Sequence, residues 1–440
     1  MNHQTAEALR LPASSIERIG RVVNAFGTSI RVTGLPAQIG SRVSIRNRLA
    51  SEQQLLYADV VGIDNHELLL YPLGKIDGID ADSEVRLADH GHEIDFSNDL
   101  LGCVVDGTGN ILQGIAPAKV QRKLPIVADA PSALTRKPIE QTLVTGIRAI
   151  DSLITVGVGQ RVGIFAPAGA GKSTLLNTLA TNAQVDVTVI ALIGERGREV
   201  AEFINKFSDT ETRNKTTIVV ATSDKPAMER VLAARYATSV AEGFRAQGKN
   251  VLLLMDSVTR YARALRDIGL SVGEAPVRHG YPPSVFADLP GFFERTGNDD
   301  KGSITAFYTV LIEDEESTDP VAEETRSILD GHIVLSRKLA DSGHYPAIDV
   351  LASTSRLFQS LAGNQHIDDA NKLRQLITRY SEIEFLLQVG EYKEGGDSLA
   401  DVALQKHDDI EAFLRQFATN CFPIDATLSQ LNNLVEGIQP

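Results

Sequence analysis

The chain has 440 residues, and at roughly 150 residues per domain this length indicates about three folded units. Its 43 basic and 57 acidic side chains give a net charge of -14, which disfavours a DNA- or RNA-binding protein because the average surface repels phosphate backbones. Apolar residues make up 43% of a chain with ordinary Gly and Pro content, which excludes a disordered or fibrous protein, and only two cysteines, far apart, exclude a disulfide framework.

The N-terminal region predicts short β-strands. The first twenty residues contain no apolar stretch of the length that a signal peptide needs, so we expect a cytoplasmic protein. Five β-type runs follow, separated at close intervals by Gly, Pro and Asn: residues 20–26, 29–33, 42–45, 56–61 and 67–71. Short strands at this spacing are typical of a small barrel or sandwich. We therefore predict a small N-terminal β domain, a barrel or a sandwich, over residues 1–90.

The middle of the chain predicts an α/β domain over residues 91–365. Its first part, 91–150, is rich in Gly and Pro and predicts a connector packed on the rest of the domain. From residue 160 onward, strands alternate with helices, and one helix is predicted to begin at Pro226 and to end before Gly248. Four apolar runs have the composition of strands buried on both faces: residues 161–165, 185–193, 217–221 and 251–255. The alternation predicts a parallel sheet.

The last segment, 366–440, predicts a helical domain. Apolar residues from Leu373 to Leu387 form one stripe that Gly390 closes, and further helical stretches cover 410–417 and 428–435. The segment has 13 acidic and 6 basic residues, and the resulting charge of -7 is half of the net charge of the chain. We expect a solvated acidic face on these helices.

The strongest local motif is a phosphate-binding loop at residues 166–173, between a buried strand and the start of a helix. Gly169 and Gly171 allow the tight turn that points backbone N–H groups inward, and the helix start adds positive potential. In this arrangement Lys172 reaches the β- and γ-phosphates and Ser173 offers its hydroxyl to Mg²⁺. Ala166 replaces the usual leading glycine. The predicted nucleotide-binding residues are therefore Gly169, Ala170, Gly171, Lys172, Ser173 and Thr174.

Charged residues follow two other predicted strands. Asp256 comes directly after the apolar run 251–255, where a carboxylate can hold Mg²⁺ through water. Residues 194–199 follow the strand that ends at Ile193, at the edge where ligands bind in open α/β sheets. Within them Glu195 can orient the attacking water while Arg196 neutralises phosphate charge. The same residues also suit a solvated first turn of a helix, so the pattern alone leaves both interpretations open.

Seven blocks are spread along the middle of the chain: residues 144–151, 166–173, 191–199, 254–263, 280–286, 327–335 and 346–355. Together they resemble the catalytic ATPase family of type III protein export, flagellar and injectisome, a branch of the group that includes the catalytic subunits of rotary ATP synthases. The resemblance implies a RecA-like parallel sheet core between a small N-terminal β-barrel and a C-terminal helical domain. It also implies Mg²⁺-dependent ATP hydrolysis by a homohexameric ring, which energises unfolding and export of proteins.

The resemblance assigns roles position by position. It implies that Glu195 activates water, that Glu199 supports the waters of Mg²⁺, and that Arg196 and Arg260 contact the γ-phosphate. Arg356 matches the arginine finger that such proteins insert into the site of the neighbouring subunit. Tyr345 matches the aromatic ring that stacks on adenine, with Phe413 or Phe417 as candidates for the other face and a core position as the alternative for all three. In the family, a loop matching residues 267–274 lines the central channel.

Alternative functions are distinguished by particular residues. A non-hydrolysing subunit of a rotary machine would lack the carboxylate that Glu195 supplies. An RNA-translocating ring would need a basic, aromatic barrel face, which residues 17–90 do not offer. A rotary synthase subunit would carry an acidic run in its C-terminal domain, for which the acids at 408–411 are too sparse. Between the two export systems, residues 165–169 and 349–353 favour the injectisome over the flagellar apparatus.

The resemblance also implies partners. We expect self-association, stalk and stator proteins of an export apparatus, export chaperones and cargo, and no nucleic acid. The protein would act in the cytoplasm, peripheral to the inner membrane at the cytoplasmic face of the apparatus. The acidic C-terminal helices are the predicted docking site for chaperones, by analogy alone.

Overall fold

The computed structural model describes residues 18–46, 55–89, 93–207, 210–312 and 319–438. The segment that bears on the signal-peptide prediction therefore lies almost entirely outside the described residues. The chain divides into two compact units, one formed by 1–93 with 226–229 and 267–275, the other by the remainder. No helix in the described ranges is both long and apolar enough to cross a membrane.

The first unit contains a closed six-stranded barrel. Its strands are β1 (Gly20–Phe26), β2 (Ser29–Thr33), β3 (Arg42–Arg46), β4 (Leu55–Asp64), β5 (Glu67–Pro72) and β6 (Glu84–Asp89). They close in the order β1-β2-β5-β4-β3-β6 with antiparallel neighbours. Alternate residues point inward, since Val43 and Ile45 are buried while their chain neighbours are partly exposed. The barrel interpretation is thus confirmed.

The second unit is built on a mostly parallel sheet. Its strands include β8 (Val104–Asp106), β9 (Ile111–Gln113), β13 (Arg161–Ala166), β14 (Val187–Ile193), β15 (Thr216–Ala221), β16 (Asn250–Asp256), β17 (Gly297–Asn298), β18 (Ser303–Leu311), β19 (Gly331–Leu335) and β20 (Ile348–Ser355). The order is β20-β19-β13-β18-β16-β14-β15-β8-β9, and β17 pairs with β18. All seven residues of β14 are buried, as expected of a strand covered on both faces.

The connector contributes more structure than its sequence indicates. Within it, β8 runs parallel to β15 and extends the central sheet, and β9 returns antiparallel beside it. Two small pairs complete it, formed by β7 (Glu93–Phe96) with β10 (Arg122–Pro125) and by β11 (Thr142–Leu143) with β12 (Val156–Gly157). Strands of two to four residues are too short to show a hydrophobic period.

Helices cover the sheet and form the C-terminal region. The helices that precede the C-terminal ones are α1 (Arg148–Leu153), α2 (Lys172–Asn182), α3 (Gly197–Lys206), α4 (Thr210–Asn214), α5 (Ala227–Arg245), α6 (Val258–Ser271), α7 (Pro283–Glu294), α8 (Pro320–Ile328), α9 (Arg337–Asp341) and α10 (Phe358–Leu361). The C-terminal helices are α11 (Asn364–Gln388), α12 (Ser398–Leu414) and α13 (Ile424–Val435). Because α6 continues to Ser271, five of the eight residues of the loop predicted at 267–274 are helical.

The C-terminal helices share one apolar core with the sheet. Ile150 and Leu153 of α1 belong to the same buried cluster as Leu373, Phe413 and Leu431 of α11, α12 and α13. The helical stretch predicted at 410–417 ends at residue 414 instead. The predicted order of barrel, parallel α/β core and terminal helices is confirmed.

Candidate functional site

The phosphate loop follows β13 and leads directly into α2. Gly169 and Gly171 have φ angles of 86° and 84°, a region that residues with a Cβ rarely adopt. Gly171 is the N-cap of α2 and provides no side-chain hydrogen bond, so no cap side chain competes for the first N–H groups of the helix. Ser173 and Thr174 are exposed in the first turn. The loop therefore presents backbone donors and two hydroxyl groups to the same space.

Lys172 is held between two carboxylates. Its Nζ lies 3.4 Å from Glu195 Oε1 and forms an ion pair with Asp256. Burial acts to lower the pKa of Lys172, but Asp256 and Glu195 together raise it, so the side chain stays a cation. Both carboxylates stand at the carboxyl edge of the sheet, since Glu195 follows β14 by two residues and Asp256 ends β16. The structure brings these three predicted residues together.

A threonine of the neighbouring strand also contacts this group. Thr309 of β18 donates from Oγ1 to Asp256 Oδ1 at 2.8 Å and is completely buried. This hydrogen bond orients one carboxylate oxygen. No sequence motif marks Thr309, although a threonine within a predicted buried strand is a signal, because a buried hydroxyl needs a hydrogen-bond partner.

Arg260 of α6 joins the same cluster. Its Nε lies 3.4 Å from Glu195 Oε1. Its side chain packs on Gly194, where an added Cβ would lie 2.6 Å from the Arg260 Cδ. Gly194 also has a φ of 71°, so a larger residue there would be strained and would displace the arginine.

Two predicted residues lie apart from the cluster. Arg196 and Glu199 flank the start of α3 and pair with each other at 3.4 Å. The Arg196 side chain is 75% exposed, and that of Glu199 is 37% exposed. In this conformation neither contacts Lys172, Glu195 or Asp256 through a hydrogen bond or ion pair in the described part of the chain.

A pocket adjoins the phosphate loop. It lies between loop residues, the start of α2, the segment before β20 and the segment after α12, and is lined by Ile147, Ala170, Gly171, Thr174, Leu175, Thr178, Leu335, Tyr345, Pro346, Ala347, Gln416, Phe417 and Ala418. The Tyr345 ring is 42% exposed and packs on the loop, since a Cβ on Gly171 would lie 3.1 Å from its Cε1. A planar base can stack in such an apolar, aromatic pocket.

The two phenylalanine candidates differ in position. Phe417 is 80% exposed and lines the pocket, whereas Phe413 is only 4% exposed and belongs to the apolar core. Their spacing in the sequence could not distinguish them, because the helix predicted through both residues stops between them.

That stop is fixed by contacts with α1. Gln416 donates from Nε2 to the Gly146 carbonyl at 2.7 Å and accepts from the Arg148 N–H at 3.0 Å. Arg148 in turn donates to the carbonyl oxygens of Ala412 and Arg415, which satisfies the end of α12. Gln416 also donates its backbone N–H to the Tyr345 carbonyl at 2.8 Å. We refer to these contacts of Gln416 and Arg148 as the α1–α12 clasp.

Arg356 lies beside the amino-terminal end of β13, whereas the phosphate loop follows the carboxyl-terminal end of that strand. β19 runs parallel to β13, and β20 returns antiparallel to β19, with Ile348 opposite Leu335 and Ser355 opposite Gly331. Arg356, which follows Ser355, therefore lies near the start of β13, while the loop follows its end. Six residues of strand span about 17 Å at about 3.3 Å per residue. The structure does not bring Arg356 to the loop of its own protomer.

The Arg356 guanidinium is exposed and weakly held. Its Nη2 lies 3.4 Å from the Arg326 carbonyl oxygen and 3.5 Å from that of Ser327. These distances are long for hydrogen bonds, so the charged group remains available to a molecule that approaches this edge.

The residues at the phosphate loop have the chemistry to bind a nucleoside triphosphate together with Mg²⁺. Phosphate oxygens accept hydrogen bonds from donors such as the uncapped N–H groups of α2, Lys172 and Arg260, and the Ser173 hydroxyl and the buried Asp256 carboxylate are hard oxygen ligands of the kind that Mg²⁺ prefers. Among the described residues, no group of three or more His, Cys, Asp or Glu side chains forms a metal cage.

Two protein families match successive parts of this chain. Residues 146–355 match the ATP synthase alpha/beta family, nucleotide-binding domain. Residues 362–433 match the T3SS EscN ATPase C-terminal domain. The first match contains the loop, both carboxylates and Tyr345, and the second contains the helices that end beside the pocket.

Similar proteins cover nearly the full chain. A type 3 secretion system ATPase of Pseudomonas syringae pv. syringae is 49% identical over 440 residues, covering 98% of this chain and 97% of the relative. The assembled ATPase EscN from the type III secretion system of enteropathogenic E. coli gives a TM-score of 0.90 at 43% identity, covering 94% of this chain and 100% of the EscN chain. Assembled EscN in complex with its central stalk EscO gives 0.87 at 42% identity, with the same coverage.

Proposed function

Because this chain belongs to the type 3 secretion system ATPase family, we propose that it hydrolyses ATP in a homohexameric ring, and that hydrolysis energises unfolding and export of proteins through an injectisome. One observation carries the shared-site part of the proposal. Lys172, Glu195 and Asp256 meet at one edge of the sheet, whereas Arg356 is exposed at the other. A neighbouring copy can supply its Arg356 to this cluster as the arginine finger.

The loop residues bind the triphosphate. Backbone N–H groups of Gly169, Ala170 and Gly171, with those of Ser173 and Thr174 at the start of α2, face the phosphate oxygens. Lys172 leaves its carboxylate partners to pair with the β- and γ-phosphates, which is possible because its pKa keeps it charged. Together these donors grip the substrate independently of its base.

Mg²⁺ would be held by the Ser173 hydroxyl and by Asp256 through water, with Glu199 supporting its water ligands. When bound, Mg²⁺ neutralises charge on the β- and γ-phosphate oxygens. Thr309 keeps the Asp256 carboxylate oriented through its hydrogen bond. The exposed position of Glu199 implies that α3 or its side chain turns toward the site when nucleotide binds.

Glu195 orients the attacking water and accepts its proton. Its carboxylate lies beside Lys172 and Arg260, with Oε1 3.4 Å from Lys172 Nζ and 3.4 Å from Arg260 Nε. Arg260 and Arg196 contact the γ-phosphate, and Arg356 of the next protomer stabilises the charge that develops on it. Tyr345 stacks on adenine, and Phe417 covers the other face of the base.

The proposed partners follow from the relatives. A stalk protein is supported by the EscN complex with EscO, and stator proteins, chaperones and cargo extend the proposal by family analogy. The protein would act in the cytoplasm at the inner-membrane export apparatus. In this proposal the chain has three domains, at residues 1–90, 91–365 and 366–440. The last contains the helices on which export chaperones would dock.

The test combines turnover with export. Purified protein is assayed for Mg²⁺-dependent ATP hydrolysis, beside Lys172→Ala, which should lose nucleotide binding, and Glu195→Gln, which should bind ATP and hydrolyse almost none. In the bacterium, deletion of the gene should remove secreted proteins and leave flagella intact. Near-normal turnover by Glu195→Gln would remove the assigned base, and loss of flagella with unchanged secretion would assign the protein to the flagellar system.

A further inference from the structure

The backbone of Arg356 is anchored while its side chain is free. The Arg356 N–H donates to the Asp330 carbonyl at 3.0 Å, and the Asp330 N–H donates to the Arg161 carbonyl, also at 3.0 Å. Because the hydrogen bonds that the guanidinium makes within the described residues are long, its reach toward a neighbouring protomer depends on where this backbone is held.

A buried glutamine fastens the same turn. Gln160 is completely buried, and its Nε2 donates to the Asp330 carbonyl and to Ser355 Oγ, each at 3.0 Å. Its Oε1 accepts from the Gly157 N–H at 2.8 Å. Both ends of one side-chain amide are therefore used to tie the start of β13 to the end of β20.

An ion pair locks the second side of the turn. Arg161 donates from Nε to Asp330 Oδ2 at 2.9 Å and from Nη2 to Oδ1 at 3.1 Å, a bidentate arrangement. The Arg161 guanidinium also pairs with Glu294, the last residue of α7. The Asp330 carbonyl, which receives the Arg356 N–H, thus belongs to a residue fixed at its side chain and its backbone.

We propose that Gln160, acting through Ser355 and Asp330, is the positioning residue that sets the reach of the Arg356 guanidinium into the site of the neighbouring protomer. The inference rests on the proposed function, because it assumes that Arg356 acts in trans. Gln160 would not touch the substrate. Its effect would appear only in the site that receives the finger.

This separation gives a kinetic expectation. Gln160→Leu keeps the volume and removes both hydrogen-bonding ends. A displacement of about 1 Å in a catalytic group can cost about 100-fold in rate, so we expect kcat to fall at least about 10-fold. The KM for ATP, and binding of a non-hydrolysable ATP analogue, should stay within about twofold of the unmodified protein, since the loop and pocket are intact.

Mixed rings distinguish positioning from damage to the loop of the same protomer. In rings assembled from Gln160→Leu and Glu195→Gln protomers, two kinds of protomer meet at random. At about a quarter of the interfaces the intact nucleotide site of a Gln160→Leu protomer faces the intact Arg356 finger of a Glu195→Gln protomer. Activity should then exceed that of either variant alone. Co-assembly of Gln160→Leu with Arg356→Ala should restore nothing, because both lack a working finger.

Two smaller changes keep the test valid even if Gln160→Leu does not fold. Ser355→Ala deletes only the hydroxyl that Gln160 contacts and should lower kcat about 5-fold, a loss large enough for its mixed ring with Glu195→Gln to exceed the activity of Ser355→Ala alone. Ser353→Ala is the matched control, since Ser353 is buried in the same strand and bonds Val334 and Asp349 instead. Its turnover should stay within about twofold of the unmodified protein.

The reference mixture is Arg356→Ala with Glu195→Gln. If it fails to regain activity, the shared site of the proposed function is wrong. If it regains activity while neither Gln160→Leu nor Ser355→Ala does so with Glu195→Gln, or if both variants keep full kcat as intact rings, the positioning role of Gln160 is wrong. If Gln160→Leu does not assemble, the Ser355→Ala mixture decides.

Discussion

Lys172 and Arg356 of one protomer lie at opposite edges of a single sheet, the first just beyond the end of β13 and the second beside its start. A strand cannot bend back on itself, so this separation is built into the protomer. Any catalysis that needs both cations must use two copies of the chain.

Specific activity should therefore rise with protein concentration. Across the micromolar range, ATP turnover per protomer is expected to increase as copies associate, in parallel with the assembled fraction measured by analytical ultracentrifugation. Glu195→Gln, which should assemble equally, is the control for association without turnover. Constant specific activity in samples shown to be monomeric would contradict a shared site.

Arg356→Ala should separate catalysis from binding. Loss of an arginine finger costs about 1,000-fold or more in kcat, while ATP affinity is expected to change little because the loop is untouched. Arg337→Ala is a matched control, since Arg337 is 71% exposed and only faces Asp341 on its own helix. Equal losses in both variants would point to a general effect of surface charge.

Thr309→Val should raise the Mg²⁺ concentration needed for half-maximal activity. The change keeps the shape of the side chain and removes the hydrogen bond to Asp256, and bonds to charged groups contribute about 1.5–3 kcal/mol, so an increase of about 10-fold is expected. Thr309→Ser, which keeps the hydroxyl, should restore the normal requirement. An unchanged Mg²⁺ titration for the valine variant would remove Asp256 from the metal site.

Tyr345→Ala should raise the KM for ATP about 10-fold with little change in kcat, because stacking of a base on an aromatic ring contributes about 1–3 kcal/mol. Phe417→Ala should give a smaller rise, since that ring is more exposed. Phe385→Ala, which removes another exposed ring outside the pocket lining, is the control. The KM values are read from steady-state hydrolysis at saturating Mg²⁺.

Glu411→Gln should destabilise the protein most near neutral pH. The hydrogen bond from buried His344, at 2.9 Å, lowers the pKa of Glu411 below its ordinary value of 4.5. A carboxyl with a lowered pKa in the folded state adds stability above its unfolded pKa, and this contribution is lost as pH falls through the folded value. The difference in Tm between the two proteins should thus shrink on acidification below about pH 4.5. A constant difference from pH 7 to pH 3 would argue against a lowered pKa of Glu411 in the folded protein.

The sequence alone predicts the phosphate loop and the two carboxylates beside Lys172, because short-range patterns determine where these residues lie. Gly169 and Gly171 need positive φ angles, and Glu195 and Asp256 follow buried strands whose carboxyl ends meet at one edge. These rules act over a few residues, so a single sequence displays them.

Other parts of the site escaped because they depend on contacts between distant segments. Gln416 bonds to Gly146, 270 residues away, and Gln160 bonds to Ser355, 195 residues away. No period or motif marks such pairs. The end of α12 was misplaced for the same reason, since a cap from Arg148 ends it while the apolar pattern continues to Phe417.

The α1–α12 clasp has a consequence for how this protein can diversify. One wall of the base pocket comes from the segment after α12, and the clasp holds that segment on the ATPase core. Replacing the terminal helices with those of a relative would therefore alter nucleotide affinity, because the wall of the pocket moves with them.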